Sequence, residues 1–497
     1  MKRILSIAMS VAAGALLLSS CTKFLTVEPK SFMSPEVYFN NEAEMQDAVN
    51  GLYNAPQNAL FSGLVAVNHS SWVMFEMLTG YHTRTYPTSL GQTIGMMLPL
   101  LDDNALVEYQ WDNFYTAINN CNNVIQGIEG KADDPTVSTE TKNKFLAEAY
   151  TLRAYYFFML VQQFGPIPLP TTPTTDTNTI PLVPSEIADV YEQIEKDLTA
   201  AETLFGSTPV NPGDGHVGLG ACKSILAKVY LTMAGYPLKD ESCYKKAYDK
   251  ALEVVKTNTY SLFDSWSDFQ DYSKENQGEW IWAMQYEATY NGSGVHNMLL
   301  PYNPDDGSLV SKDGINGGAI VPTTQFIASY ADGDKRALEN GFFYSSYGGV
   351  EFSRPYIYKF FDKNALGDGK SGADFPIVRY ADVLLVLAEA ACKGGSSSDA
   401  AAIDAYYQVR SRAVPSEAKP ASITFDMVYK ERTWELCFEA QNWYDIIRTR
   451  KILNVAKKTV VDVIGFTPLE HDQAFTESDL LLPYPLAETR LNDNLKR

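Results

Sequence analysis

Between Leu219 and Lys256 the chain writes one pattern twice, with small and large apolar residues at helical spacing on either side of Gly235-Tyr236-Pro237. Leu226, Ala227, Tyr230 and Leu231 mark the face of a first helix; Tyr244, Ala247, Tyr248, Ala251 and Leu252 mark a second. Residues three and four apart share one side of a helix, so each segment carries an apolar stripe. Alanines set between rings let two such stripes approach closely. The glycine and proline force a turn, because the residue before a proline is pushed out of helical geometry. A hairpin of this kind still has apolar surface left over, and further helices must cover it.

The remaining chain supplies them. Helical periodicity recurs over Ala43–Leu60 and over Tyr109–Ile128, where Trp111, Phe114, Tyr115, Ile118, Val124 and Ile125 favour one side. Lys144–Phe164 is aromatic-rich enough to be buried and is stopped by Gly165-Pro166. Ile187–Leu204 follows, with Ser185 as its cap. A second hairpin, Ile377–Ala391 and Ser398–Arg412, turns at Gly394-Gly395, and Thr424–Thr449 reads as another helix. In length and in the placement of Ala and Tyr the first hairpin is similar to a tetratricopeptide unit, without a strict sequence period. The expected fold is therefore mainly α, with tetratricopeptide-like helix pairs packed in a right-handed array.

Three segments break the pattern: Gly80–Asn104, Pro166–Pro184 and, longest, Tyr260–Asp374, rich in Gly, Asn, Asp, Ser and Tyr with short strand-like pieces such as Trp280–Gln285. Long irregular segments in a compact unit usually carry function, so these are expected to form the ligand face. The chain divides into helical regions at 35–259 and 375–497 and a loop-rich ligand-binding region at 260–374, all within one structural unit.

The first residues are of another kind. Lys2 and Arg3 precede an apolar run from Ile4 to Leu18, then Leu18-Ser19-Ser20-Cys21. This is the layout of a secretory signal, and its end resembles the bacterial lipobox. The expectation is that residues 1–20 are removed, that Cys21 carries acyl chains, and that 21–34 are a tether. Acyl chains at about 0.8 kcal/mol per buried methylene would hold the protein on its membrane. The formal net charge of −20 argues against nucleic acid and against peripheral binding to anionic lipid. The other cysteines, Cys121, Cys222, Cys243, Cys392 and Cys437, lie far apart with no CxxC pair. They read as buried thiols rather than a zinc site or disulfide framework, with a single pair such as Cys222–Cys243 left open.

Catalytic patterns are missing from the sequence: no GxSxG elbow, no HExxH, no phosphate loop. His69, His82, His216, His296 and His471 have no ligand spacing. Asp305-Asp306-Gly307 and Asp362-Lys363-Asn364 are acidic turns that fall short of a calcium loop. Neither a metal nor a cofactor is expected. Glu431 and Glu435 are one helical turn apart, not across a cleft as in a glycosidase. They read as members of a structural ion-pair network, with Arg432–Glu435 and Asp445–Arg448 as i,i+3 pairs; Glu148 and Arg153 are read in the same structural way.

Several blocks, in order, carry a family resemblance. They are Cys21-Thr-Lys-Phe-Leu-Thr-Val-Glu-Pro29; Ala147-Glu148-Ala-Tyr-Thr-Leu152-Arg153-Ala154-Tyr155-Tyr156 with Phe164-Gly165-Pro166-Ile167-Pro168-Leu169; Arg379-Tyr380-Ala381-Asp382 with Ala388-Glu389-Ala390; Glu431-Arg432 through Arg448; and Leu482-Pro483-Tyr484-Pro485 with Glu488 and Asn492. Together they resemble the SusD/RagB family of outer-membrane nutrient-binding lipoproteins. The family start is often acidic after the cysteine, whereas Thr22 and Lys23 stand here. The resemblance implies a lipid-anchored protein on the outer membrane, exposed at the cell surface, that binds oligosaccharide without cleaving it. It also implies delivery to a SusC-like TonB-dependent transporter.

A sugar needs an aromatic plane for its C–H face and polar groups for its hydroxyl rim. The irregular segments offer two clusters of candidates: Trp72, Tyr81, His82, Arg84 and Tyr86; and Tyr286, Tyr290, Asn291, His296 and Tyr302. Tyr81, Tyr86 and Tyr290 lead because Gly, Thr, Pro or Asn surround them, while Trp282 lies in an apolar run and reads as core. Two rivals stand beside glycan capture. One is peptide capture on the same fold, which needs a wide cavity with backbone partners. The other is hydrolysis by Asp102 or Asp103 opposite Asp305 or Asp306.

Overall fold

A computed structural model describes residues 38–61, 70–83, 99–131, 137–174, 182–301, 309, 320–366 and 369–496. The expected signal, Cys21 and tether lie outside the described residues, as do Arg84, Tyr86, Tyr302 and the Asp305-Asp306-Gly307 turn.

In chain order the first elements are α1 (Glu42–Asn50), α2 (Asn54–Phe61), α3 (Ser71–Leu78), the short β1 (His82–Thr83), α4 (Ala105–Glu129), α5 (Thr139–Phe164), α6 (Ile187–Phe205), α7 (Leu219–Met233) and α8 (Cys243–Lys256). Next come β2 (Trp280–Met284), α9 (Val295–Leu299), β3 (Val321–Pro322), α10 (Thr324–Ser329), β4 (Phe343–Tyr347), β5 (Val350–Ile357) and β6 (Phe375–Arg379). The chain ends with α11 (Tyr380–Lys393), α12 (Ala400–Ala413), α13 (Phe425–Glu435), α14 (Asn442–Thr449), β7 (Lys451–Asn454), β8 (Thr459–Asp462) and α15 (Leu486–Leu491).

The helices stack as neighbours in series. α4 lies on α5, α5 on α6, α6 on α7, and α7 on α8; α8 then meets α11, which packs on α12 and α13. The expected helix pairs and the hairpin turning at Gly235 are present. α5 is buried on nearly every side from Ala147 to Phe164. It ends at Gly165, whose φ of 73° is in the left-handed region that a side chain disfavours. Its start is capped by Ser138, which accepts the Thr141 N–H.

Local details differ from the sequence reading. Ser185 does not cap α6; Glu186 holds that position without a side-chain bond, while the Ser185 N–H donates to the Ile167 carbonyl. Ala43–Leu60 is two helices, and Thr424–Thr449 is broken into α13 and α14 by Phe438 and Ala440, both at positive φ. All five described cysteines are free thiols. Among the described residues the strands form only two-stranded antiparallel sheets: β1–β3, β2–β6, β4–β5 and β7–β8. The β2–β6 pair is buried along its length and contains Trp282, as expected of a core residue.

Candidate functional site

Two buried ion networks fix the frame beneath the irregular segments. In the first, the Glu435 carboxylate accepts from Arg336 (3.0 Å), Arg379 (3.2 Å) and Arg412 (2.8 Å). Arg336 also grips Asp334 and Glu431, Arg379 forks onto Glu439, and the Lys359 ammonium sits 2.5 Å from Glu439. In the second, Arg432 and Arg448 share Asp445 and Glu389, and Lys228 meets Asp382. Glu431 and Glu435 are structural, as expected. Asp445–Arg448 pairs at 2.7 Å, but Arg432 turns to Asp445 and Asp382 instead of Glu435. Arg153 likewise forks onto Asp197, while Glu148 takes the Tyr53 hydroxyl and the His216 ring.

The first sugar-binding cluster is largely absorbed by this core. Trp72 is fully buried and donates through Nε1 to the Phe438 carbonyl, 3.0 Å away. Tyr81 stacks on Phe326, and its hydroxyl accepts the Leu453 N–H at 2.9 Å. His82 is buried beside Glu76. Burial pushes the Glu76 carboxyl up to about 8 and the His82 imidazole down to about 4, so both are neutral at pH 7. His296, from the second cluster, is also buried and accepts the Asp362 N–H through Nδ1. None of these four rings offers a face to a ligand in this arrangement. A Gly- and Thr-rich neighbourhood did not signal exposure, because the glycines let the chain turn inward. The Asp362 turn is likewise spent, its carboxylate bonded to Tyr272 and Ser371. No cluster of potential metal ligands occurs among the described residues.

Of the second cluster's other described residues, Tyr290 and Asn291 remain at the surface and Tyr286 is partly exposed. Glu287 and Asn291 exchange backbone hydrogen bonds of 2.8 and 3.2 Å, closing a tight loop after β2. The Glu287 carboxylate, at 3.0 Å, accepts the N–H groups of Thr289 and Tyr290. Tyr290 therefore stands at the tip of a braced loop with 91% of its surface exposed. Beside it, the amides of Asn291 and Gln57 of α2 are paired at 3.0 Å. Tyr286 is half-buried at the foot of the loop, its N–H held by Asp374 Oδ1 at 2.9 Å. Gly372, which lies against both Ala288 and the Tyr272 ring, brings a second partly exposed ring to the loop; the Gly372 N–H donates to the Tyr272 hydroxyl at 3.1 Å.

Below the loop lies a carboxyl pair. The Asp374 N–H donates to Glu275 at 2.9 Å, and burial raises both carboxyls to about 7, helped at Asp374 by the Glu275 charge and at Glu275 by those of Asp362 and Asp271. The sequence reading did not single out Gln57, Tyr272, Glu275 or Asp374. Gln57 and Tyr272 are distant in sequence from Tyr290, and only long-range packing brings them near. The chemistry assembled here is an exposed ring flanked by amides and a second tyrosine.

Comparison with known proteins places this architecture. A family model described as the SusD family matches residues 344–497, and one described as starch-binding associating with outer membrane matches residues 23–231. The chain belongs to the SusD/RagB family. A SusD-like protein of Bacteroides ovatus is 27% identical, over 88% of this chain and 81% of its own. A SusD superfamily protein of Parabacteroides distasonis superposes with a TM-score of 0.82 at 29% identity, covering 91% of this chain and 98% of its own. A surface glycan-binding protein A of Bacteroides thetaiotaomicron, solved with laminarihexaose, shares the fold at a TM-score of 0.72 and 17% identity, covering 92% and 99%.

Proposed function

We propose that this SusD-family chain is a lipid-anchored, surface-exposed protein that captures oligosaccharide without cleaving it. It hands the sugar to a SusC-like TonB-dependent transporter in the outer membrane. The observation that carries the reading is Tyr290, an almost fully exposed ring on a loop held rigid by Glu287 and flanked by the Asn291–Gln57 amide pair. A rigid ring stacks on the C–H face of a sugar at little entropic cost, and paired amides suit hydroxyls. Tyr286, Asn291 and Tyr290 remain site residues in this proposal, joined by Gln57 and Tyr272. Members of the same fold solved with glycans, such as the laminarihexaose complex, support the ligand class.

The test is a binding screen of neutral glycans and of peptides, repeated with Tyr290→Ala. Covering one ring face, about 80 Å² at about 25 cal/mol per Å², is worth about 2 kcal/mol. Affinity for the bound glycan should therefore fall about thirtyfold in the variant, with helicity and melting unchanged. Binding confined to peptides, or glycan affinity indifferent to Tyr290, overturns the reading.

A further inference from the structure

A cleft of about 220 Å³ opens at the turn of the α7–α8 hairpin, where the C-terminal ends of α7, α11 and α14 converge. Its walls include Tyr236, Lys239, Tyr244, Lys393, Phe425 and Lys451. The Lys239 ammonium lies 4.0 Å from the centre of the Tyr236 ring and that of Lys393 lies 4.7 Å from the Phe425 ring. In a chain of net charge −20 this is a locally basic recess with aromatic walls.

The cations differ in how they are spent. Arg448 is committed to Glu389 and Asp445, Arg450 near the Tyr236 ring pairs with Glu477, and Lys451 reaches Asp462. Among the described residues, Lys239 and Lys393 rest against rings and form no ion pair. Glu241 is the one acidic side chain in the lining.

The C-terminal ends of helices carry partial negative charge, and that accounts for Lys393 in the last turn of α11. It does not account for Lys239, which stands past the end of α7 with φ at 56°. Nor are the converging carbonyls short of donors. Gly394 caps Ala390, Arg450 caps Ile446, and the Tyr236 N–H donates to the Arg448 carbonyl at 2.7 Å. Gly235 makes that last contact possible, since a Cβ there would sit 2.3 Å from the same carbonyl oxygen. The recess is thus shaped by backbone, and its two free ammonium groups are left for a ligand.

We infer that this cleft binds a single acidic sugar ring, its carboxylate or sulfate held by Lys239 and Lys393 and its apolar face against Tyr236 and Phe425. The volume falls below the roughly 300–1,000 Å³ of pockets that enclose drug-sized molecules, so it suits one ring rather than a chain. The sugar half of the assignment rests on the proposed function; the anion half does not.

The full chain purified in detergent is titrated calorimetrically with D-glucuronate, D-glucose and sodium sulfate. The titrations are repeated for Lys239→Gln/Lys393→Gln, for Tyr290→Ala and for a control, Lys245→Gln, on the exposed face of α8. Both cleft lysines are exposed, so the double variant should fold. Saturable glucuronate binding is expected, weakened at least tenfold in the double variant and by added salt, and unchanged in the control and in Tyr290→Ala. Glucose should show no lysine-dependent binding. Absent glucuronate binding, or binding indifferent to the lysines, overturns the site; sulfate binding as tightly as glucuronate overturns the sugar class. Loss with Tyr290→Ala alone would place the ligand at the loop and refute the cleft, whereas failure of the neutral-glycan screen would bear on the proposed function only.

Discussion

Glu435→Gln removes one negative charge from the point where Arg336, Arg379 and Arg412 meet, while keeping shape and one acceptor oxygen. Burial alone would raise this carboxyl, but the guanidinium groups of Arg412, Arg379 and Arg336 reverse that and hold it down from 4.5 to about 2. At 1.36 kcal/mol per unit, the depression corresponds to about 3 kcal/mol of stability. That agrees with the roughly 3–5 kcal/mol lost when one partner of a buried ion pair is removed. A depressed pKa contributes fully above the unfolded value near 4.5 and is lost as pH falls through the folded value near 2. The assay is urea unfolding followed by circular dichroism at pH 7 and at steps down to pH 3. The variant should be about 3 kcal/mol less stable at pH 7, with the gap to the parent narrowing below pH 4. Asp249→Asn is the control, because Asp249 meets Lys245 on the exposed face of α8 and its loss should cost under about 1 kcal/mol. If the two variants behave alike, or the gap stays constant with pH, the ion network does not brace the fold as argued.

Tyr81→Ala should cost about 3–5 kcal/mol, since it empties a stacked core position and strands the Leu453 N–H; a melting curve within a degree of the parent would contradict its burial. Asp374→Asn should remove part of the loss of stability that accompanies a rise in pH from 3.8 through about 7, because a raised carboxyl costs free energy to ionise there; the slope of the unfolding midpoint against pH measures this, and an unchanged slope refutes the burial of this carboxyl beside Glu275. Glu287→Ala should leave overall stability within about 0.5 kcal/mol yet loosen the loop, seen as faster amide exchange at Thr289 and Tyr290 and as weaker glycan binding.

Helix identity was legible in the sequence wherever local chemistry decides it. The stripes and alanines of Leu219–Lys256 give the hairpin, and Gly165-Pro166 ends α5 where a positive φ is required. Order-dependent blocks such as Arg379-Tyr380-Ala381-Asp382 carried the family resemblance, and in the structure they make buried scaffold contacts, Arg379 on Glu439 and Asp382 on Lys228. The site was less legible. The exposure of Tyr290 was legible because a tyrosine between Thr and Asn in a loop has little apolar surface nearby in sequence, but Trp72 and Tyr81 carry no local mark of where they point.

What only tertiary structure decided is clearest between α13 and α14. Periodicity runs unbroken through Thr424–Thr449, so sequence predicts one helix, yet the chain breaks at Phe438 and Ala440. Such a break strands backbone groups, and a buried one costs about as much as a lost hydrogen bond. Here Lys359 bonds the carbonyls of Glu435 and Cys437, Trp72 bonds that of Phe438, and Glu76 accepts the Ala440 N–H. Those partners lie between 76 and 366 residues away along the chain. Short-range pattern therefore determined which segments are helical, because spacing and turn residues act within a few positions. Long-range partners determined where a helix breaks and which aromatic ring is left facing water, because those outcomes depend on donors and charges that only the folded chain brings together.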